Sequence, residues 1–291
     1  MTLPQGDGVT EEDGGTADGG VSAGDPSDAA MDTDTDPGMD TDTDTDPAAG
    51  AGEAQTPHPS GYRTRHFIFR TRRAGTRMAA VSRLHGWRYL GERPAGAGKP
   101  RILMFEVMPG LTVWYFENPD ADVCGAAVNS TRCAAETSTP ARLVQGLLVP
   151  WTLPELLTEI ERAADTPSRC QALRRAGMGA PRPVDETFRT ALTNAAADPD
   201  PEVRTAAILA MTYTEWPPFA PFLRSLADDD PKRQVRRFAK RAAELLEQID
   251  PSVRPQPAPS DDILPADSAP ELYKVAEHEL DKVIAQYTGA R

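Results

Sequence analysis

Aromatic residues make up only 6% of this 291-residue chain and hydrophobic residues 39%. Both values are low for a chain that is core throughout, so part of it is expected to lie outside any packed domain. The shortfall concentrates in residues 1–60, which contain no Lys or Arg and almost no bulky apolar side chain, but fifteen Asp or Glu. Such a stretch cannot bury enough apolar surface to offset chain entropy and is expected to be a disordered acidic tail. Nowhere is there an apolar run long enough to cross a bilayer, so no membrane contact is expected. The start, Met1-Thr-Leu-Pro-Gln-Gly-Asp7, has neither a basic region nor an apolar run, which speaks against a secretory leader. Cysteine is scarce and odd in number: Cys124, Cys133 and Cys170 stand at no metal-ligand spacing. Free thiols and a cytoplasmic location are the expectation. Catalytic signatures are missing as well. The chain has no Gly-x-Gly-x-x-Gly, P-loop, His-Glu-x-x-His, Gly-x-Ser-x-Gly or Cys-x-x-Cys, and His58, His66, His85 and His278 are scattered. These absences point away from an enzyme, and no cofactor or metal is expected.

The formal net charge of -13 belongs to the tail, because residues 61–291 carry 31 basic against 29 acidic groups, a net of +2. The tail repeats Asp32-Thr-Asp-Thr-Asp-Pro and Asp40-Thr-Asp-Thr-Asp-Thr-Asp-Pro. Alternating carboxylates suggest calcium, but a calcium loop needs Gly at its sixth position and Glu at its twelfth. Counted from Asp32 those positions are Pro37 and Thr43, so a solvated acidic segment is expected and calcium is not. Residues 61–104 are the opposite in sign, with ten Arg and one Lys against Glu92 alone. Arg is preferred to Lys and Ala is abundant, a bias common in proteins of GC-rich bacterial genomes.

Residues 61–120 read as a small α+β unit of order β-α-β-β-β. His66-Phe-Ile-Phe-Arg70 is a short strand run. Met78, Val81 and Leu84 stand at helical spacing, and Gly86 ends that helix. Trp87–Leu90 alternates as a second strand. Ile102–Val107 and Leu111–Phe116 are apolar runs joined by Met108-Pro109-Gly110, a hairpin signal. Residues 121–140, rich in small and polar types, read as a linker. So do residues 251–269, before a final helix over 270–288 with Leu272, Val275, Leu280 and Ile284 on one stripe.

Between the two linkers the chain repeats itself. Asp198-Pro-Asp-Pro-Glu-Val203-Arg204-Thr-Ala-Ala207-Ile-Leu-Ala210 returns as Asp230-Pro-Lys-Arg-Gln-Val235-Arg236-Arg-Phe-Ala239-Lys-Arg-Ala242, with Asp, Pro, Val, Arg, Ala and Ala in register. A fainter copy begins at Asp165, where Cys170 and Gln171 stand in place of Val and Arg. Each Asp follows another amphipathic segment, so the unit is helix, Asp-containing turn, helix. Asp suits the orphan amides of the following helix, and Pro suits its first turn. Val and the Ala columns form a buried stripe that a single unit cannot hide, so units stack.

The pattern Asp-x4-Val-Arg-x2-Ala-x2-Ala resembles the HEAT-repeat family, particularly the short bacterial type first noted in phycobilin lyases. The likeness covers residues 141–250. It implies an all-α helical solenoid after the α+β unit. It also implies structural roles for Asp198, Val203, Arg204, Asp230, Val235 and Arg236, with Asp198 tied to Arg204 and Asp230 to Arg236. HEAT stacks mostly bind partners, and fold alone does not fix function.

The leading expectation is a non-enzymatic protein-protein adaptor of regulatory or immunity type. Its surface is expected on the first helix of each unit, around 153–164, 184–196 and 218–227. Candidate contact residues are Arg63, Arg65, Arg70, Arg72 and Arg73 in the basic block, and Trp216, Phe219 and Arg224 in the stack; alternatively Trp216 and Phe219 plug the corner between helices. A second reading is a nucleic-acid-binding module in which the Arg-rich unit contacts phosphates. A third is an enzyme with its site between the α+β unit and the stack. The acidic tail is expected to be attracted to the basic block.

Overall fold

A computed structural model of the chain describes residues 61–71, 74–96 and 99–263, and from the C-terminal segment residues 274, 278, 281, 282, 284 and 285. The acidic tail, Arg72 and Arg73 lie outside the described residues. Those described all belong to one unit, Gly52–Arg291.

The N-terminal part is a sheet covered on both faces. Its strands are β1 (Tyr62–Arg63), β2 (Phe67–Ile68), β3 (Arg88–Arg93), β4 (Arg101–Met108), β5 (Leu111–Asn118) and β6 (Val123–Ser130), with helix α1 (Gly75–Leu84) between β2 and β3. The order is β3-β4-β5-β6-β1, with β2 also on β6, and all these pairings are antiparallel. The β4–β5 hairpin turns at Gly110, whose φ of 82° needs glycine. Alternation then sorts side chains by face. Leu103, Phe105, Val113 and Tyr115 pack beneath α1 and α2 (Ser138–Leu148). Ile102 and Phe116 point the other way and meet Met178 of the helical stack.

Residues 121–140, expected to be a linker, instead form β6 and the approach to α2. β6 is central, paired with β5 on one side and with β1 and β2 on the other. Its composition hid it: Val123-Cys-Gly-Ala-Ala-Val lacks the bulky residues that mark a strand. Small size is what the packing demands, since a Cβ on Gly125 would stand 2.5 Å from the Phe67 carbonyl oxygen. α2, assigned to the repeats, packs on the sheet instead, so the stack begins at α3.

That stack is α3 (Leu153–Arg162), α4 (Thr166–Gly179), α5 (Glu186–Ala195), α6 (Pro201–Thr214), α7 (Ala220–Asp229) and α8 (Arg233–Glu247). α4, α6 and α8 lie side by side, and α3, α5 and α7 cover them from outside. Thr152 and Glu155 form a capping box on α3, and Asp165, Asp185 and Asp200 cap α4, α5 and α6. The turn Asp of the repeat caps its helix only in the first copy, at Asp165. α6 is capped by Asp200 instead of Asp198, and α8 has Lys232 at its N-cap with no side-chain cap, Asp230 being spent on Arg204. Glu155 also takes both of its oxygens to Arg70, tying α3 to the sheet.

Residues 251–269 also depart from a linker. The short strand β7 (Gln256–Pro257) runs parallel to β1, and Gln256 N–H and Ala258 N–H donate to Gly61 and Arg63 carbonyls at 2.6 and 2.9 Å. Beyond it, Asp262 pairs with buried Arg65 and accepts from Leu153 N–H at 2.7 Å. The end of the stack is thus strapped back onto the first strand. Of the final helix, Lys274, His278, Asp281, Lys282, Ile284 and Ala285 are helical, and the remainder lies outside the described residues. Ile284 packs on the α1–α2 side of the sheet and Asp281 lies 3.3 Å from Arg77, so these residues sit against the sheet and not at the end of the stack.

Candidate protein-interaction groove

The second helices of the units, α4, α6 and α8, are wired together at their N-terminal turns. Arg204 of α6 donates to both oxygens of Asp230, at 2.7 and 3.0 Å, and through Nη1 to the carbonyls of Asp198 and Pro199. One turn earlier Arg169 of α4 pairs with Asp198 at 2.7 Å, and the Thr166 hydroxyl donates to Asp200 at 2.6 Å. Arg236 donates to the Asp230 carbonyl at 2.6 Å. Each motif Arg therefore binds the backbone of its own turn, and Arg204 reaches the carboxylate of the next one. The expected pairs Asp198–Arg204 and Asp230–Arg236 exist through carbonyls, whereas the ion pairs run between units. Val203 and Val235 are buried in the stack core beside the Ala columns.

Residues 153–251 match the family model of HEAT repeats. The matched segment starts where α3 starts, and the sheet unit lies outside it. Proteins with HEAT repeats generally serve as protein-interaction scaffolds. No curated protein and no solved structure matches the chain.

In the matched segment α4 packs against α6 and α6 against α8. An open groove of about 1290 Å³ runs from Asp122 of the sheet unit past α4 and α6 to the first turn of α8. Its cations are Arg162, Arg174, Arg175, Lys232 and Arg233, and its acids Asp122, Glu159, Asp165 and Glu202. Five cations against four acids leave the groove nearly neutral, with both signs present. Gln171 anchors the sheet end by donating to the Asp122 carbonyl at 2.9 Å. Arg174 makes no ion pair or hydrogen bond among the described residues, and its buried Nε has no acceptor. Hydrogen bonds from Thr166 and from the Glu202 amide hold the Asp200 carboxyl below the usual range, so it stays ionised. Cys170 lines the groove, but burial raises its thiol pKa, which makes it a poor nucleophile. Among the described residues no three His, Cys, Asp or Glu side chains converge to hold a metal ion.

The groove is lined by the second helices α4, α6 and α8 and, at its α3 end, by Glu159 and Arg162 from the expected first-helix surface around 153–164; the surfaces around 184–196 and 218–227 do not line it. Some of its residues occupy a variable column of the repeat: Ser168, Pro201 and Arg233 each stand three places after a turn Asp, beside Val235 and Cys170 of the recurrent Val column. The recurrent columns mark the core; the departures from recurrence at adjacent positions were the available signal for the groove.

The other candidate residues are placed elsewhere. Arg65 is 1% exposed, with its guanidinium on Asp262 and on the carbonyls of His66, Trp151 and Ser260. Arg70 pairs with Glu155 and stacks on Trp151, 4.5 Å from its ring centre. Arg63 bonds Asn129 and lies over Trp114. Arg88 pairs with Glu106, and Arg101 with Glu92 and Glu117. Much of the basic block is thus internal wiring. Trp216 and Phe219 are 1% and 2% exposed, stacked at 5.8 Å, with the Trp216 indole donating to the Arg182 carbonyl. They fill the corner between α6 and α7 and offer no exposed ring to a partner. Arg224, on α7, is exposed and pairs with Glu247 of α8. It shares neither the groove nor the sheet with the others. Among the described residues no helix is long and apolar enough to cross a membrane.

Proposed function

We propose that the chain is a non-enzymatic protein-interaction adaptor whose partner lies along the groove of α4, α6 and α8. The observation that carries this reading is the balance of charge in a groove of that size. A polyanion favours a surface of one sign, whereas cations and carboxylates in near balance fit a protein surface of mixed charge and reject wrong partners by like-charge contact. The general role of HEAT repeats supports the same reading. The pairing of Arg65, Arg70, Arg88 and Arg101 with internal carboxylates weighs against the nucleic-acid alternative.

The test is capture of partners from the native host after nuclease treatment, followed by titration of the captured protein. Glu202→Arg and Arg233→Glu reverse charges at exposed groove positions, and Arg189→Glu on α5 serves as the outer-face control. Binding is expected to weaken at least tenfold in the groove variants and to stay unchanged in the control. A partner that nuclease removes, or that only the α5 variant loses, would overturn the proposal.

A further inference from the structure

Away from the groove, two guanidinium groups from separate segments pair with one carboxylate and a third stands near it. Glu215, at the C-terminal end of α6, offers its Oε2 to Arg182 Nη1 at 3.0 Å and to Arg254 Nη2 at 3.2 Å. Arg254, in the segment before β7, also donates to the Glu215 and Thr214 carbonyls at 2.6 and 3.1 Å. Arg63 of β1 completes the group. Burial, followed by the charge on Arg182, lowers its pKa to about 10, so it remains protonated at neutral pH. His66, the fifth member, is held neutral and adds no charge. The cluster therefore carries an excess of two positive charges.

Donor groups are in excess too. Arg63 spends only its Nε, on Asn129; its two terminal nitrogens have no hydrogen bond among the described residues and are not sealed from solvent. Buried donors without acceptors collect around it: Arg182 Nη2, Arg254 Nε, Asn129 Nδ2 and Trp114 Nε1. Folds rarely leave that many donors unsatisfied in one place.

Arg63 and Arg254, with Glu215 between them, form one wall of a pocket of about 420 Å³, in the size range of small-ligand sites, and Arg182 stands behind that wall. The other walls are aliphatic: Leu245, Ile249, Val253 and Pro255. Leu245 and Val253 are 53% and 49% exposed, so apolar surface is open to a ligand beside the charged wall. The pocket's second acid, Asp250, is engaged with the Ser252 amide and hydroxyl at 2.8 and 2.7 Å. Glu215 itself shows what the site accepts, a carboxylate between guanidinium forks. Its side chain is 44% exposed, and its backbone has a φ of 55°, costly for a non-glycine residue.

We infer that this pocket binds an aliphatic carboxylate, with the carboxylate on Arg63 and Arg254 and the hydrocarbon part against Leu245, Ile249 and Val253. Two sources share that chemistry, a peptide C-terminus with an aliphatic last residue and a short acyl chain. The inference does not depend on the groove.

Calorimetric titration of the whole chain tests it with four probes: N-acetyl-Ala-Leu, its C-terminal amide, octanoate and inorganic phosphate. Saturable binding of either carboxylate is expected, with at least a tenfold loss for the amide. Binding of the dipeptide alone assigns a peptide terminus; binding of octanoate alone assigns an acyl chain. Glu215→Gln removes the competing internal carboxylate and is expected to tighten binding at least threefold, an effect that a purely structural role would not give. Leu245→Asp, at a position 53% exposed and checked for unchanged far-ultraviolet dichroism, is expected to abolish it. Equal binding of phosphate, indifference to Leu245→Asp, or no binding by the wild type and Glu215→Gln alike overturns the inference.

Discussion

Arg204 uses Nε, Nη1 and Nη2, on the Asp230 carboxylate and on two carbonyls, while its side chain is 8% exposed and that of Asp230 2%. Removing either partner strands a buried charge. Arg204→Ala or Asp230→Ala is therefore expected to cost about 3–5 kcal/mol, with the double variant well short of the sum. Urea denaturation of the single and double variants reads both quantities. Arg204's hydrogen bond also holds the Asp230 carboxyl below its ordinary range. That contribution is present above the unfolded carboxyl's pKa and is lost as pH falls through the lower folded value. His66 has the same sign of shift for a different reason. Burial, then the charges of Arg63 and Arg182, push its imidazole from 6.5 down to about 4, while Glu215 and the Met178 carbonyl oppose them. Between those values the unfolded chain takes up a proton that the folded chain refuses, so stability falls as pH drops from 6.5 towards 4. The urea midpoint is expected to decline across that window in the wild type and to flatten in His66→Gln.

Elements show where small residues decide the packing. α4 and α6 approach so closely that a Cβ on Gly177 would stand 2.4 Å from the Ala210 carbonyl oxygen. Alanine is the better helix former by about 1 kcal/mol, yet overpacking costs about 1–3 kcal/mol and here the obstacle is backbone. Gly177→Ala is expected to lower the melting temperature. A Cβ on Gly146 of α2 would meet nothing within 4 Å, so Gly146→Ala is expected to raise it. The same smallness set the limits of reading the sequence. The β4–β5 hairpin, α1 and the turn-and-helix repeat were legible because bulky residues and Pro-Gly mark period and punctuation. β6 was not, because contact on both faces selects Ala, Gly and Cys there. Nor was β7, whose attachment rests on backbone pairing and on Asp262, features with no periodicity. The groove was legible only at its α3 end, because apolar spacing tells which stripe of each helix is buried but not which helices of neighbouring units line a shared groove.

At the scale of the whole molecule, sheet and stack share a wall. Ile68, Ile102 and Phe116 meet Met178, with Trp151 and Tyr213 packed at the margin and Arg70–Glu155 at one end. Residues 153–251 produced alone would expose that wall. They are expected to bind a hydrophobic dye and to melt at least about 10 °C below the full chain, whose far-ultraviolet dichroism and tryptophan fluorescence are expected to change together. The pairing of Tyr62 with Gln256, and of Arg65 with Asp262, joins one of the first described segments to one of the last. This bears on synthesis. A ribosome releases Arg65 long before Asp262 exists, so the nascent sheet carries a guanidinium with no counter-charge to bury it against. The first strand is therefore expected to stay open until nearly the whole chain has emerged, and protease protection of β1 in stalled nascent chains is expected only once residue 262 has cleared the exit tunnel.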